Sequence, residues 1–413
     1  MTTESTIISG PINVIRLEGK TDNINKTLYV LFDIHVPLRN QTECLELQEI
    51  NIKNYISNNL KLAQNENNII YDLFIEYHPV RDIDKFGATK YTVNYIEEMM
   101  KFITKQYYLD NNNIRKRNSY YKNLRSHYID FRFPFMSPKI TETIYYLESL
   151  CYNIHANLSI QNLQLMIDNL KIIKSFYIHT FNTFFKPRRI TATDLKLLEY
   201  TNKSYKQIEH KISNKIIGKY NHKSVKKVLG NIIKNEFKTE LLKYTDELDL
   251  YINTLTDFCV TYATINFQDM LYNDNIKTYT RGGVDFEEID KIIKFVHQMG
   301  SNLFQSLGGA TLYIMDMYFL RRFLDKDYVT NGIVYTGAEH SVNYIYLLVK
   351  YFDFKITHFS YIKKMSDKDN IKNINNVHKN IKASINYINC IKYFFPTELY
   401  QCSDISGFPK LFL

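Results

Sequence analysis

The chain has 413 residues, 45% of them hydrophobic and 23% charged, with 13 glycines, no tryptophan and a formal net charge of +9. That supplies one large core, or a core with a second helical unit, and its spread along the whole length excludes a disordered chain. The basic excess is diluted rather than clustered, which argues against nucleic acid as a partner, and no apolar run reaches the roughly 18–20 residues of a membrane span.

In chain order, residues 12–19 and 27–35 are predicted as two strands. The second carries an unbroken apolar run from Leu28 to Phe32, as expected of a strand buried on both faces, and it ends at His35. Ile50, Ile52, Ile56 and Leu60 are spaced as the apolar face of a helix over 46–63. A second buried strand over 68–76 ends at Glu76. Strand, helix and strand in this order predict a βαβ unit with a parallel pair. An amphipathic helix follows at 91–108, then a polar loop from Asn111 to Asn118. An alternating strand at 124–133 is closed by Pro134 and Pro138.

From 138 to 300 helical periodicity takes over, as at Leu163, Met166, Ile167, Leu170 and Ile173, and again over 222–270. A helix at 304–325 ends on Arg321 and Arg322, with Gly308-Gly309 read as its start or as a close approach to a neighbour. A short β-branched strand at 332–336, a turn at Gly337, a helix at 340–351 and a strand at 354–359 complete the pattern. The fold class is therefore α/β: a mixed or mostly parallel sheet flanked by helices, split by a large all-helical insertion. Residues 1–135 and 301–413 are read as the two halves of the core and 136–300 as the insertion.

Three strands run into a chemically capable residue at their ends: His35, Glu76 and His340. In open α/β sheets ligands bind beyond the carboxyl ends of the strands, so these residues are expected at one edge. Two His and a Glu make a ligand set for a divalent metal with an open position. The same groups also make an acid/base set without metal. A secondary site candidate is the segment Arg125, His127, Asp130 and Arg132, where alternation places Arg125 and His127 on one face and Asp130 and Arg132 on the other.

The motifs resemble those of the TIKI/TraB/erythromycin-esterase-like superfamily, which includes ChaN-like proteins. Its pattern is a strand ending in G-x-x-H, a strand ending in Glu, a variable helical middle, and a second G-x-x-H followed by a helix. Gly337-Ala338-Glu339-His340 matches the second motif, and Asp72 to Glu76 resembles the Glu strand. Phe32-Asp33-Ile34-His35 departs from the first, with Phe32 where the family has Gly. The resemblance covers 27–82 and 304–358. It implies a divalent metal (Mn, Co or Zn) held by His35, Glu76 and His340, with Asp33 or Glu339 as general base or supporting group. It also implies an Arg near the site, from among Arg81, Arg321 and Arg322. The implied function is a metal-dependent hydrolase of peptidase or esterase type, acting on a small molecule or peptide. The alternative is a catalytically degenerate relative serving as a binding or virion-structural protein.

The five cysteines are scattered without a C-x-x-C pair, which argues against a disulfide framework or a Cys-based zinc site and suits a reducing compartment. The N-terminal residues lack the pattern of a secretory signal. Abundant Asn, Ile, Lys and Tyr point to an A/T-rich genome, of the kind large DNA viruses and protists carry. The expected location is the cytoplasm or a virion.

Overall fold

The structure is a computed structural model. It describes residues 6–37, 44, 49–66, 69–76, 94–104, 107–109, 115–117, 121–130, 138–185, 213–263, 271–273, 278–281, 284–285, 287–361, 367–396, 399–409 and 412. Its strands are β1 (Ile7–Ser9), β2 (Asn13–Thr21), β3 (Ile24–Asp33), β4 (Glu49–Asn51), β5 (Tyr71–Ile75), β6 (Tyr107–Leu109), β7 (Arg115–Arg117), β8 (Leu124–Tyr128), β9 (Leu271–Asn273), β10 (Thr278–Arg281), β11 (Val284–Asp285), β12 (Asn331–Gly337), β13 (Lys355–Phe359) and β14 (Cys402–Asp404). The helices are α1 (Ile52–Glu66), α2 (Tyr95–Thr104), α3 (Pro138–Tyr152), α4 (Ile154–Asn157), α5 (Ile160–Phe185), α6 (Lys223–Ile232), α7 (Lys238–Thr261), α8 (Glu287–Leu324), α9 (Ala338–Phe352), α10 (Asp367–Ala383) and α11 (Ile388–Phe394). A π-helical turn, Ile233–Phe237, joins α6 to α7.

The chain forms two compact units. The first contains Met1–Asp130, Tyr220–Leu229 and Met315–Leu413; the second contains Phe131–Lys219 and Gly230–Ile314. Compared with the expected insertion at 136–300, the second unit runs on to Ile314 and gives 220–229 to the first.

The first unit is α/β, as the strand and helix pattern led one to expect. Its six-stranded sheet has the order β13-β2-β3-β12-β5-β8. β3, β12, β5 and β8 are mutually parallel, and β2 runs antiparallel to both β3 and β13. β3 and β5 are therefore parallel but do not pair directly, as the βαβ reading had them; β12, from the far end of the chain, lies between them. Its run Ile333-Val334-Tyr335 suits a strand buried on both faces. On one face Tyr29, Leu31, Leu73, Ile75, Ile333 and Tyr335 pack against Ile52, Ile56 and Leu60 of α1 and Ile96 and Met99 of α2. On the other, Phe74 meets Phe319 of α8 edge-on at 5.0 Å, and Phe319 lies 4.3 Å from the Tyr344 ring of α9.

Several short elements differ from expectation. β1, β4 and β14 form a small separate sheet in the order β14-β1-β4. The stretch expected as a loop, 111–118, contains β7, which pairs antiparallel with β6. β9, β10 and β11 form a three-stranded antiparallel sheet within the region read as helical. Three-residue strands carry too few alternations to register as periodicity. The cysteine reading also needs correction, because Cys44 and Cys402 are joined in a disulfide. Cα–Cα pairing across 358 positions leaves no mark in local spacing.

Residues 220–229 are tied into the first unit by His222. Its Nδ1 lies 2.6 Å from Asp22 Oδ2, in the β2–β3 turn, and its Nε2 lies 2.5 Å from Asp327 Oδ1. Burial lowers the imidazole pKa, but the hydrogen bonds and charges of Asp327 and Asp22 outweigh it and the net shift is upward.

The second unit packs α5 against α3 and α7. Gly309 is not a helix start, since α8 begins at Glu287; a Cβ there would run into the Tyr244 hydroxyl of α7, so the close-approach reading holds. Among the described residues no helix is long and apolar enough to cross a membrane.

Candidate metal centre

The parallel strands bring their carboxyl ends to one edge of the sheet, and there the first unit assembles two Asp–His pairs around one Glu. β3 ends at Asp33, and two residues later the chain turns at His35 with φ +56°. A left-handed conformation in a non-glycine residue costs about 1–3 kcal/mol and needs local compensation. Asp33 provides it. Its Oδ2 accepts both the His35 backbone N–H (2.9 Å) and the His35 Nδ1–H (2.6 Å). Its Oδ1 accepts the Tyr335 hydroxyl (3.2 Å) and the Gln401 amide (2.7 Å). Burial holds the Tyr335 phenol well above its ordinary pKa, so it stays a donor.

β12 leads through Gly337 into α9, whose first turn carries His340. His340 Nδ1 lies 2.6 Å from Asp316 Oδ1 on α8, and the Asn343 amide donates to Asp316 Oδ2 at 2.5 Å. Burial pushes the Asp316 carboxyl above its usual range, while the charge and hydrogen bond of His340 pull it back. Glu76 follows β5; its Oε2 accepts the Gly337 backbone N–H at 2.6 Å.

Both imidazoles thus spend Nδ1 on a buried carboxylate and turn Nε2 toward Glu76: His35 at 3.7 Å from Oε2, His340 at 3.5 Å from Oε1. A carboxylate accepts only, so Nδ1 carries the hydrogen and a neutral ring offers its Nε2 lone pair. Lone pairs directed at a carboxylate make an arrangement that a cation stabilises. The separations exceed an N–H···O hydrogen bond and are near the roughly 3.4 Å between two atoms bound to one tetrahedral ion at about 2.0–2.1 Å. Each ring addresses its own oxygen of Glu76, and the three ligand atoms do not all lie within 4.8 Å of one another, so an ion shared by all three requires the rings to move toward each other. The carboxylate–imidazole support is the pattern that metal-binding His residues use. On these grounds His35, Glu76 and His340 fit a divalent metal. Glu76 and His340 are buried, whereas the His35 side chain is 45% exposed and opens the centre to solvent.

A model described as a family of unknown function (DUF5847) matches residues 6–413. The chain belongs to this family. It is similar to three proteins of Acanthamoeba polyphaga mimivirus over nearly the full length of each. Uncharacterized protein R706 is 30% identical, covering 99% of this chain and 97% of its own length. Uncharacterized protein R160 is 31% identical over 98% and 97%, and uncharacterized protein R161 is 28% identical over 98% of both. No solved structure matches.

In this DUF5847 chain the other expected site residues fall as follows. Asp33 is fully engaged as the support of His35. Glu339 is solvent-exposed in the first turn of α9. Arg321 is not brought to the cluster: its guanidinium lies over the Tyr220 ring at 4.6 Å, and it sits roughly 140° around α8 from Asp316. Arg322 lies 5.9 Å from the Tyr328 ring. Arg81 and Arg132 lie outside the described residues. Arg125 and His127 do share a face, as expected. They close on Asp72 rather than on the centre: Arg125 Nε donates to Oδ1 at 2.8 Å, Arg125 Nη2 to Oδ2 at 2.5 Å, and His127 Nε2 lies 2.7 Å from Oδ1. Burial lowers the His127 pKa despite Asp72. Asp130 is buried just past β8. Asp316 and Gln401 were missed. Asp316 had a signal, being the lone charge in the apolar run Leu312–Leu320.

The departure at Phe32 falls outside the cluster. Phe32 pairs with Thr336, and the residue in register with Gly337 is Asp33. Gly337 is where glycine matters: a Cβ there would lie 3.1 Å from His35 Nε2 and 3.2 Å from Glu76 Oε2. Gly337→Ala is therefore expected to leave the chain folded but weaken divalent-metal binding by about tenfold, the lower range for disturbing a supporting contact. A chelator-competition titration checks this.

Proposed function

We propose that the chain is a divalent-metal-dependent hydrolase of peptidase or esterase type, with its active site at the carboxyl ends of β3, β5 and β12. The observation that carries this is the convergence of two carboxylate-supported imidazoles, His35 and His340, on Glu76. These three residues would hold Mn, Co or Zn. When bound, such an ion polarises a carbonyl and makes a nucleophile of water at neutral pH. Asp33 and Asp316 keep both rings oriented with Nδ1 protonated. Asp33 already accepts four hydrogen bonds and has no capacity left for a proton in transit. Among the described residues, exposed Glu339, adjacent to His340, is an acidic side chain available for general-base work. The exposed flank of His35 is the approach for a small-molecule or peptide substrate. The mimivirus relatives suggest a protein acting in the infected cell or carried in a virion.

The test is turnover of activated esters and a peptide panel by metal-stripped protein reloaded with Mn, Co or Zn. Hydrolysis should appear on reloading and vanish in Glu76→Gln. A metal that binds fully with no hydrolysis of any panel member would instead favour a binding or virion-structural relative.

A further inference from the structure

The Cys44–Cys402 disulfide lies one residue from a side chain that braces the centre. Cys402 opens β14 and pairs with Ser9 of β1. The preceding residue, Gln401, is buried, and its amide donates to Asp33 Oδ1 at 2.7 Å. Its carbonyl accepts the Gly10 N–H at 2.9 Å and lies 3.3 Å from Cys44 Sγ. Asp33 in turn holds the backbone and the ring of His35. A covalent link, one buried amide and one carboxylate therefore form an unbroken series ending at a residue of the centre. The other cysteines are poor candidates for exchange: Cys151, Cys259 and Cys390 are buried, and burial raises each thiol pKa, that of Cys151 to about 12. Cys44 is buried too, so half-buried Cys402 is the clasp sulfur open to attack.

We propose that the Cys44–Cys402 pair is a redox clasp that regulates this centre, its disulfide holding Gln401 against Asp33 and so fixing His35 for metal binding. The proposal rests on the metal reading of the centre. The exchange partner is a low-molecular-weight thiol. One thiolate attacks a clasp sulfur to give a mixed disulfide and a cysteine thiolate. A second thiolate displaces the remaining cysteine and leaves as the small disulfide. Two electrons pass from the small thiols to the clasp, and the two cysteine sulfurs take up protons. Reduction leaves Gln401 held by β14 pairing and its own hydrogen bonds alone.

The test compares full-length protein oxidised with glutathione disulfide and reduced with a phosphine, the state of each cysteine read by alkylation and mass. The oxidised form should bind Mn²⁺ about tenfold more tightly than the reduced form, the scale of a lost supporting contact. Cys402→Ser should match the reduced form under both conditions. Gln401→Leu should weaken binding in both and erase the difference. In metal-free protein the His35 ring resonances should move between the two forms, a readout independent of the metal reading. Equal Mn²⁺ affinity with the disulfide verified would overturn the clasp, as would unmoved His35 resonances. Glu49 Oε2, buried without a hydrogen-bond partner, belongs to a residue whose carboxylate lies within 4.8 Å of both sulfurs. One zinc bound by the reduced protein and lost in Cys402→Ser would therefore make the trio a metal site and overturn the clasp too. Absent Mn²⁺ binding in both forms, with His35 resonances still moving, would count against the metal reading and leave the clasp standing.

Discussion

Asp316→Asn is expected to lower divalent-metal affinity by about 10–100-fold while leaving the sheet folded. Asp316 is completely buried and touches no ligand position itself; it acts through His340 Nδ1 and is held by Asn343. The carboxylate accepts on both oxygens, which fixes the imidazole tautomer with Nε2 toward Glu76. An amide has one accepting and one donating end. If its oxygen faces His340, its NH2 opposes the donating Asn343 amide. If its NH2 faces His340, Nδ1 must accept, and the hydrogen moves to Nε2, where it blocks ligation. In either orientation the negative charge behind His340 is lost, which makes the imidazole a weaker ligand with little change in volume. Calorimetric metal titration, with far-UV circular dichroism to verify folding, reads the effect. Wild-type affinity in the variant would mean that the Asp–His pairing is not a metal support.

The second large effect concerns the ion cluster inside the same sheet. Asp72→Ala is expected to destabilise the protein by about 1–3 kcal/mol, the cost of leaving the partly buried Arg125 guanidinium without its carboxylate. Arg125 and His127 both close on Asp72, His127 stacks on Phe74 at 4.7 Å, and the Arg125 guanidinium lies 4.6 Å from the Tyr328 ring centre. Removing the carboxylate leaves a guanidinium in a site shaped for a bidentate pair. Urea unfolding measures the loss. Metal affinity should remain at the wild-type value, since Asp72 and Glu76 are four positions apart on β5 and its end and have separate partners. Loss of metal binding at unchanged stability would show that Arg125 and His127 belong to the centre after all.

The strands that build the centre were legible because each is short, apolar and buried on both faces. β3 and β12 read clearly from Leu28–Phe32 and Ile333–Tyr335, and the strand-end rule correctly gathered His35, Glu76 and His340. The insertion of β12 between β3 and β5 was not legible, because strand order depends on packing between segments some 300 residues apart and not on local pattern. Arg321 misled for a related reason. It lies at a helix end near the expected edge in sequence, yet helical rotation turns it to Tyr220, while Asp316, five residues earlier, faces His340. Alignment of the two His motifs by spacing sets Phe32 against Gly337 and so weakens the match to the first motif. Sheet register shows that Asp33, not Phe32, stands opposite Gly337.

The most direct measurement is the stoichiometry and affinity of divalent-metal binding by the purified chain, taken beside His340→Ala with both proteins verified as folded. One ion per wild-type chain and none in His340→Ala is the result expected of a centre built from His35, Glu76 and His340. No binding by the wild-type chain, or equal binding by both proteins, would contradict it.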